Sequence, residues 1–141
     1  MITAREGSQR GAAAVELVLV TPVLIVLLLF VVAGGRIADA RSGVDAAARD
    51  AARAATLTRS ATGAEREGTK AAETRLHDAG VECRSLVVQV DATRFAAGGT
   101  VTATVTCAVD LGDLTLLGIP GTRSVTSAAA EPVDVYRGVE R

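Results

Sequence analysis

The sequence predicts an α+β protein in which a single N-terminal transmembrane helix extends into a long helix, followed by a small antiparallel sheet of three to four strands. Two observations predict the helices: an uncharged apolar run from Leu17 to Ala33, and an Ala-rich, charged segment after Arg36. A third, the alternation of β-branched and small residues after Val81, predicts the strands. Only 2% of the residues are aromatic although 49% are hydrophobic. Small side chains bury little area each, so a large aromatic core is excluded.

The apolar run reads LVLVTPVLIVLLLFVVA and is interrupted only by Thr21 and Pro22. Extended to Gly35, it would be about 28 Å long, close to the roughly 30 Å hydrocarbon thickness of a bilayer. The alternative is a buried core helix, but nothing else in the chain could surround it. Pro22 frees one backbone carbonyl, which the Thr21 hydroxyl or a neighbouring helix can help to satisfy.

This segment has three interpretations: a removed secretory signal, a plain anchor, or a precursor cut on the cytoplasmic side of the apolar run. A secretory signal has an apolar region of about 7–15 residues before a small-x-small site. The best such site, Ala38-Asp39-Ala40, follows Arg36 and an apolar run that is too long. The signal interpretation is therefore disfavoured.

Charges at the N-terminus predict the orientation in the membrane. Arg5, Arg10 and the free amino group outweigh Glu6, which favours a cytoplasmic N-terminus and an extracytoplasmic C-terminal domain. The bias is weak, because Arg36 and Arg41 lie just beyond the far end.

Glu16 stands directly before the apolar run, five places after Gly11. A carboxylate continuous with a membrane helix is disfavoured at depth and should be shallow, protonated or paired. One interpretation is that Glu16 begins the helix in the headgroup region, where the helix dipole favours acids.

The other interpretation rests on a resemblance. Gly11 followed by Glu16, with Arg10 before the glycine and the apolar helix after it, resembles a class III or type IV prepilin leader. Residues 11–55 resemble the N-terminal part of TadE-like proteins, pilin-like components of the tight-adherence (Flp-type) pilus assembly system. The Thr/Val hairpin and the final strand ending at Glu131 are similar to the later part of that family, less specifically.

The resemblance implies a processing site at Gly11 and Ala12, where a prepilin peptidase would cut after the glycine. Glu16 would then be the fifth residue of the mature chain and would act in subunit assembly. Pairing of its carboxylate with the new Ala12 ammonium of an adjacent subunit would offset the cost of placing both charges near the membrane. The implied partners are the membrane, other pilin-like subunits, pilus assembly proteins and a prepilin peptidase.

From Arg36 to about Leu57 the pattern predicts an amphipathic helix with one stripe of small residues. The stripe comprises Ile37, Ala40, Val44, Ala47, Ala51 and Ala55. It could receive another helix or sheet, or pack on the chain's own domain. Asp45 and Arg49 form an i,i+4 pair, and Gly43 marks a weak point or a bend.

Residues 58–69 are predicted to form a polar break, followed by a short helix over Lys70–Asp78 with Gly80 as its C-terminal cap. His77 is interpreted as a surface residue.

Strands are predicted over Leu86–Val90 and 100–109, joined by a turn at Gly98-Gly99. A third run over 122–130 and a fourth over 133–136 would be edge strands, with a connecting loop over 110–121 and Pro132 limiting the last run to an edge.

Cys83 and Cys107 are predicted to form a disulfide, which an extracytoplasmic compartment would permit. Such a bridge would stabilise the fold by roughly 3–4 kcal/mol on the chain-entropy model. Facing Val88 toward Ala103 places Arg84, rather than Cys83, opposite Cys107. The bridge therefore needs an irregular Cys83 or a nearby bulge. The alternative is two unrelated buried thiols.

The sequence offers no phosphate-binding loop, nucleophile elbow or Ser-His-acid set. A net charge of −1 argues against nucleic-acid binding, and one His with two Cys cannot supply a four-ligand zinc site.

We therefore expect a non-enzymatic envelope protein with no cofactor, metal or small-molecule substrate. The expected regions are a cytoplasmic leader (1–11), a transmembrane helix (12–35), a helical stalk (36–80) and a β domain (81–141). The alternative function is a secreted or membrane-anchored binding module without a pilus role.

Overall fold

The computed structural model describes residues 6–110, 112 and 121–136, with side chains from residue 14 onward. The elements in chain order are α1 (Glu6–Thr56), α2 (Ala61–Asp78), β1 (Cys83–Asp91), β2 (Thr100–Asp110) and β3 (Thr122–Pro132). The predicted α+β class, with a long N-terminal helix and a small antiparallel sheet, is confirmed. The chain divides into two compact units, Met1–Gly35 and Arg36–Arg141, which are described separately.

The sheet of the second unit has the order β1-β2-β3, and both pairings are antiparallel. The alternation predicted for β2 is confirmed, because Val101, Ala103, Val105 and Cys107 are fully buried. The intervening threonines lie on the opposite face, with the hydroxyls of Thr106 on β2 and Thr126 on β3 3.0 Å apart. One face of the sheet therefore carries the core, and the other is lined by small and hydroxyl side chains.

The C-terminal part of α1, from Arg36 to Thr56, covers the core face of the sheet. Its predicted stripe is buried from Ala40 to Ala55, and Ala48 and Ala52 are buried with it. Val44 and several of these alanines form one cluster with Ala103 and Val105 of β2. Of the two interpretations of the stripe, the structure shows packing on the chain's own domain. This stripe is therefore not available to another subunit in the folded unit.

Helix α2 is longer than predicted: the break between α1 and α2 covers residues 57–60, and the rest of the predicted polar break, residues 61–69, is helical. The helix begins at Ala61, with Ser60 as its N-cap, whose side chain accepts a hydrogen bond of 3.2 Å from the Gly63 amide. Its buried residues recur every four positions: Ala64, Gly68, Ala72 and Leu76. The segment is polar and glycine-containing, so its helical propensity is low. Burial of this stripe stabilises a helix that local propensity disfavours.

Gly68 lies where α2 crosses α1 and β1. A Cβ atom at this position would lie 2.9 Å from Val90 Cγ2 and 3.1 Å from the Ala51 carbonyl oxygen. Gly43 on α1 is in a similar position, since a Cβ there would lie 2.7 Å from Val81 Cγ2. The predicted weak point at Gly43 is thus a place of close approach, and α1 continues through it as one helix.

The predicted cap at Gly80 is confirmed. Gly80 has a φ of +66°, the left-handed conformation that glycine adopts readily. The Gly80 amide donates to the His77 carbonyl and the Val81 amide donates to the Leu76 carbonyl, both at 3.0 Å. This pair of bonds is a Schellman motif, which turns the chain from α2 toward β1.

The connection between β1 and β2 spans residues 92–99, with Gly98 at a φ of +76°. A Cβ on Gly99 would lie 1.9 Å from the Arg94 carbonyl oxygen, so only glycine fits there.

Residues 133–136 form no strand, contrary to the predicted fourth run. Instead, the Val133 amide donates to the Gly99 carbonyl at 2.9 Å. Of the predicted loop over 110–121, residues 111 and 113–120 lie outside the described part.

The predicted register between β1 and β2 is wrong by two residues. Val88 pairs with Val105 rather than Ala103, and the register shifts between Cys83 and Ser85. The shift leaves Arg84 in a bulge, the irregularity that the sequence argument required. Because the displacement is by two positions, the same side chains still face the core.

The disulfide between Cys83 and Cys107 is present, with the two Cα atoms 5.3 Å apart. It joins the first residue of β1 to a fully buried position of β2, and both sulfur-bearing residues contact the core cluster. The bridge closes a loop with a sequence separation of 24. It supports a core that is built mainly of alanine and valine.

Candidate membrane anchor and assembly site

The N-terminal part of α1 presents large apolar side chains on every side. From Val15 to Val32 these side chains are between 43% and 69% exposed within the chain, except for Leu29, which is half-buried. Among the described residues, α1 is the one helix long and apolar enough to cross a membrane, with a mean hydropathy of 3.0 over its most apolar window. A helix that is apolar all round needs lipid or neighbouring helices around it. The structure shows no buried-core role for this segment.

Thr21 and Pro22 shape the hydrogen bonding inside the apolar segment. Pro22 has no amide hydrogen, so the Val18 carbonyl loses its helical donor. The Thr21 hydroxyl donates to the Leu17 carbonyl at 2.6 Å, one residue earlier than the carbonyl that Pro22 frees. The structure therefore does not show Thr21 satisfying the freed carbonyl. A donor on a neighbouring helix remains the other way to satisfy it.

The predicted processing and assembly residues lie at the start of this segment. The α1 backbone is helical through Gly11 and Ala12, but their side-chain surroundings lie outside the described part. Glu16 is exposed, and no described residue forms an ion pair with it. Its carboxylate therefore stands at the edge of an apolar surface, where an external cation or a headgroup can approach it.

In the second unit, Asp45 links α1 to β3, an edge strand of the sheet. The Ser127 hydroxyl of β3 donates to Asp45 Oδ1 at 2.7 Å, and Arg49 pairs with the other carboxylate oxygen. A second ion pair, Arg75 to Asp50 at 3.6 Å, joins α2 to α1. Sequence reasoning found the Asp45–Arg49 pair and missed the other two contacts. No local signal could have shown them, because their partners are distant in the chain.

The described residues contain no group of three His, Cys, Asp or Glu that could hold a metal ion. The His77 side chain is 90% exposed and lies beside Asp78, as expected of a surface residue. The grooves of the second unit are lined by mixed charges and hydroxyls and are open to solvent.

Together, the exposed apolar helix and the small α+β unit fit the class of single-pass membrane proteins. Residues 11–53 match the model of the TadE-like protein family. The match covers the anchor and most of the outer helix, and it confirms the family resemblance predicted from the sequence. No curated protein and no solved structure matches the chain.

Proposed function

We propose that this chain is a membrane-anchored, non-enzymatic, pilin-like subunit, of the minor pseudopilin kind, in tight-adherence pilus assembly or a related secretion apparatus. The observation that carries the proposal is the match of residues 11–53 to TadE-like proteins, on a helix whose apolar side chains are exposed on all sides. Other pilin-like subunits and pilus assembly proteins would surround that helix.

The proposed arrangement divides the chain into a cytoplasmic leader over 1–11, a membrane segment over 12–35 and an extracytoplasmic part that follows. The basic residues Arg5 and Arg10 support the cytoplasmic leader. The disulfide supports an oxidising compartment for the C-terminal part, because disulfides persist there and are rare in the cytosol. A prepilin peptidase would remove the leader after Gly11.

Glu16 is the proposed assembly residue. Cleavage after Gly11 would create an ammonium on Ala12, at the end of a helix and next to lipid. Opposite charges attract more strongly where water is scarce, so a Glu16 carboxylate on an adjacent subunit would be a favourable partner. The pair would also fix the axial position of one helix against the next.

The mature N-terminus tests this proposal. The full chain is produced in a cell with a tight-adherence system and analysed by intact and N-terminal peptide mass spectrometry. We expect the mature chain to begin at Ala12. A chain that begins at Met1 would indicate a plain anchor, and one that begins at Arg41 a secretory signal. Either of these results would contradict the pilin-like processing and favour the binding-module alternative.

A further inference from the structure

One backbone carbonyl of the apolar segment of α1 has lost its helical donor. Pro22 has no amide hydrogen, and in a regular helix the residue at this position would donate to the Val18 carbonyl. The proline ring also crowds this carbonyl. The hydrocarbon core of a bilayer holds no water that could replace the donor, so an unbonded carbonyl there is costly. In a membrane, the Val18 carbonyl therefore needs a donor from elsewhere.

The apolar segment contains a single side-chain donor, the Thr21 hydroxyl. Between Leu17 and Ala33 the sequence has no other hydroxyl, amide or charged side chain. In the structure the Thr21 hydroxyl donates to the Leu17 carbonyl at 2.6 Å. In the helical pattern that carbonyl also accepts the Thr21 amide, so the hydroxyl gives it a second bond. The one side-chain donor is thus spent on an acceptor that already has a partner.

The spare donor and the freed acceptor lie at similar heights along the helix. The bond of 2.6 Å places the Thr21 hydroxyl beside the Leu17 carbonyl oxygen. The Val18 carbonyl is one helical step further along, about 1.5 Å. Two copies of the chain that enter a membrane by the same route have the same orientation and the same depth. In such a parallel pair, the donor of each copy lies at the level of the acceptor of the other.

Both groups also lie on one side of the helix. Successive residues of a helix are rotated by about 100°, so four neighbouring positions fall within a sector of about 100°. We call this sector the Pro22 face; it comprises Val18, Thr21, Pro22 and Ile25. All four side chains are exposed within the chain. Three are β-branched and the fourth is a proline, so they have little rotamer freedom to lose when a second helix packs on them.

We propose that two copies of this chain pair in parallel within the membrane through their Pro22 faces. The Thr21 hydroxyl of each copy donates to the Val18 carbonyl of the other, and a two-fold axis along the helices relates the two bonds. Each Leu17 carbonyl keeps its helical amide donor, so no hydrogen bond is lost in the exchange. The inference rests on the apolar segment lying in a membrane. It does not depend on the pilus role or on cleavage after Gly11.

A second copy is the favoured occupant because the chain itself supplies both the donor and the acceptor. A helix of another protein would satisfy the Val18 carbonyl only if it carried a donor at the same depth, and it would leave the Thr21 hydroxyl in its redundant bond. The pair of copies satisfies both freed carbonyls at once. The alternative within one chain is that Thr21 turns to the Val18 carbonyl of its own helix, a bond that threonine can make. That alternative leaves the chain monomeric.

Self-association of the purified full chain in lipid vesicles tests the proposal. Two preparations carry a donor or an acceptor dye on a C-terminal tag, and energy transfer between them is measured as the chain is diluted with lipid. We expect energy transfer that falls on dilution, as for a reversible pair. A chain that stays monomeric at high protein-to-lipid ratios would overturn the proposal, since its Val18 carbonyl would then be satisfied within one helix or by another protein.

Substitutions of Thr21 test the hydrogen bond. Thr21→Val removes the hydroxyl with little change of shape and should weaken the pair about three- to tenfold, the effect of two hydrogen bonds between membrane helices. Thr21→Ser keeps the hydroxyl and should pair like wild type. The second unit begins at Arg36, so its melting should be unchanged in both variants. A Thr21→Val chain that pairs as tightly as wild type would overturn the proposal.

Substitution of Pro22 tests the freed carbonyl. Pro22→Ala restores an amide that donates to Val18 within the helix, so the carbonyl no longer needs a donor from a second copy. We expect the pair to weaken by a similar factor, and Thr21→Val added to Pro22→Ala to have little further effect. Fully additive effects of the two substitutions would show that they act on different contacts and would contradict the shared bond.

Cysteine cross-linking locates the contact on the helix surface. Ile25→Cys places a thiol on the Pro22 face, and Leu27→Cys places one on the opposite side of α1 at nearly the same depth. Ile25 and Leu27 are 53% and 60% exposed within the chain, so they form a matched pair. Under mild oxidation in vesicles, we expect Ile25→Cys chains to cross-link and Leu27→Cys chains to remain largely monomeric. Equal or reversed cross-linking would overturn the proposed face.

Discussion

Ser127 and Asp45 form a hydrogen bond of 2.7 Å although 82 positions separate them in the chain. The contact joins the edge strand β3 to α1, next to the Asp45–Arg49 ion pair. In a core made largely of alanine and valine, such a polar contact helps to fix the helix over the sheet. Its contribution can be measured directly.

Removing the Ser127 hydroxyl should destabilise the second unit. Ser127→Ala leaves Asp45 without this donor, and we expect the free energy of unfolding to fall, because a hydrogen bond to the carboxylate is lost. Chemical denaturation of the full chain in detergent, followed by circular dichroism, measures the change. Ser124→Ala, on the same strand and exposed, is the control. Equal effects of the two substitutions would show that the Asp45 contact contributes nothing.

Adding a methyl group at Gly68 should also destabilise the fold. In an exposed helix position, Gly→Ala stabilises by up to about 1 kcal/mol. Here the new Cβ would press on Val90 and on the Ala51 carbonyl, and overpacking of this kind costs about 1–3 kcal/mol. We expect Gly68→Ala to lower the melting temperature. Glu65→Ala, on the exposed side of α2, controls for helix propensity, and a Gly68→Ala chain more stable than wild type would contradict the packing.

The hydrogen bonds between Asp91 and Thr93, at the end of β1, should make the free energy of unfolding depend on pH in the acid range. The Thr93 hydroxyl donates to Asp91 Oδ1 at 2.7 Å and the Thr93 amide at 3.0 Å, and these bonds lower the pKa of the Asp91 carboxyl. Because the folded-state pKa lies below the unfolded value, the stabilisation is present above about pH 4. It is lost as the pH falls through the folded-state pKa.

Thermal melts of wild type and Asp91→Asn over a range of pH measure this effect. We expect wild type to be the more stable at neutral pH and the difference to narrow as the pH falls below about 4. In a Thr93→Ala background, the difference in stability that Asp91→Asn causes should be smaller, since the hydroxyl that donates to the Asp91 carboxylate is removed. A difference that stays constant across the acid range would contradict a lowered Asp91 pKa.

Glu16 should be required for assembly but not for membrane insertion. We expect Glu16→Ala to impair incorporation into the pilus assembly, because the ammonium of a neighbouring subunit would lose its partner. Leader cleavage and membrane fractionation should be largely unchanged. Co-purification with other pilus subunits, compared with Glu6→Ala in the leader, measures the effect. Normal incorporation of the Glu16→Ala chain would exclude the pairing argument.

Local patterns in the sequence predicted the elements whose signals are local. The apolar run, the small-residue stripe on α1 and the alternation in β2 each follow from the repeat of a single element. The cap at Gly80 was also predictable, because only a few residues take part in it. The start of α2 was not, because burial of Gly68 and its neighbours against α1 and β1 stabilises a stretch whose own propensity is low.

The sequence by itself determined that this chain carries a membrane-type helix, a TadE-like N-terminal segment and a small antiparallel sheet. The tertiary structure decided the register of the strands and which face of α1 is buried. The bulge at Arg84 set the register that brings Cys83 to Cys107. Packing of α1 on its own sheet buried the alanine stripe. These outcomes depend on contacts between residues far apart in the chain, and periodicity within one element carries no information about such contacts.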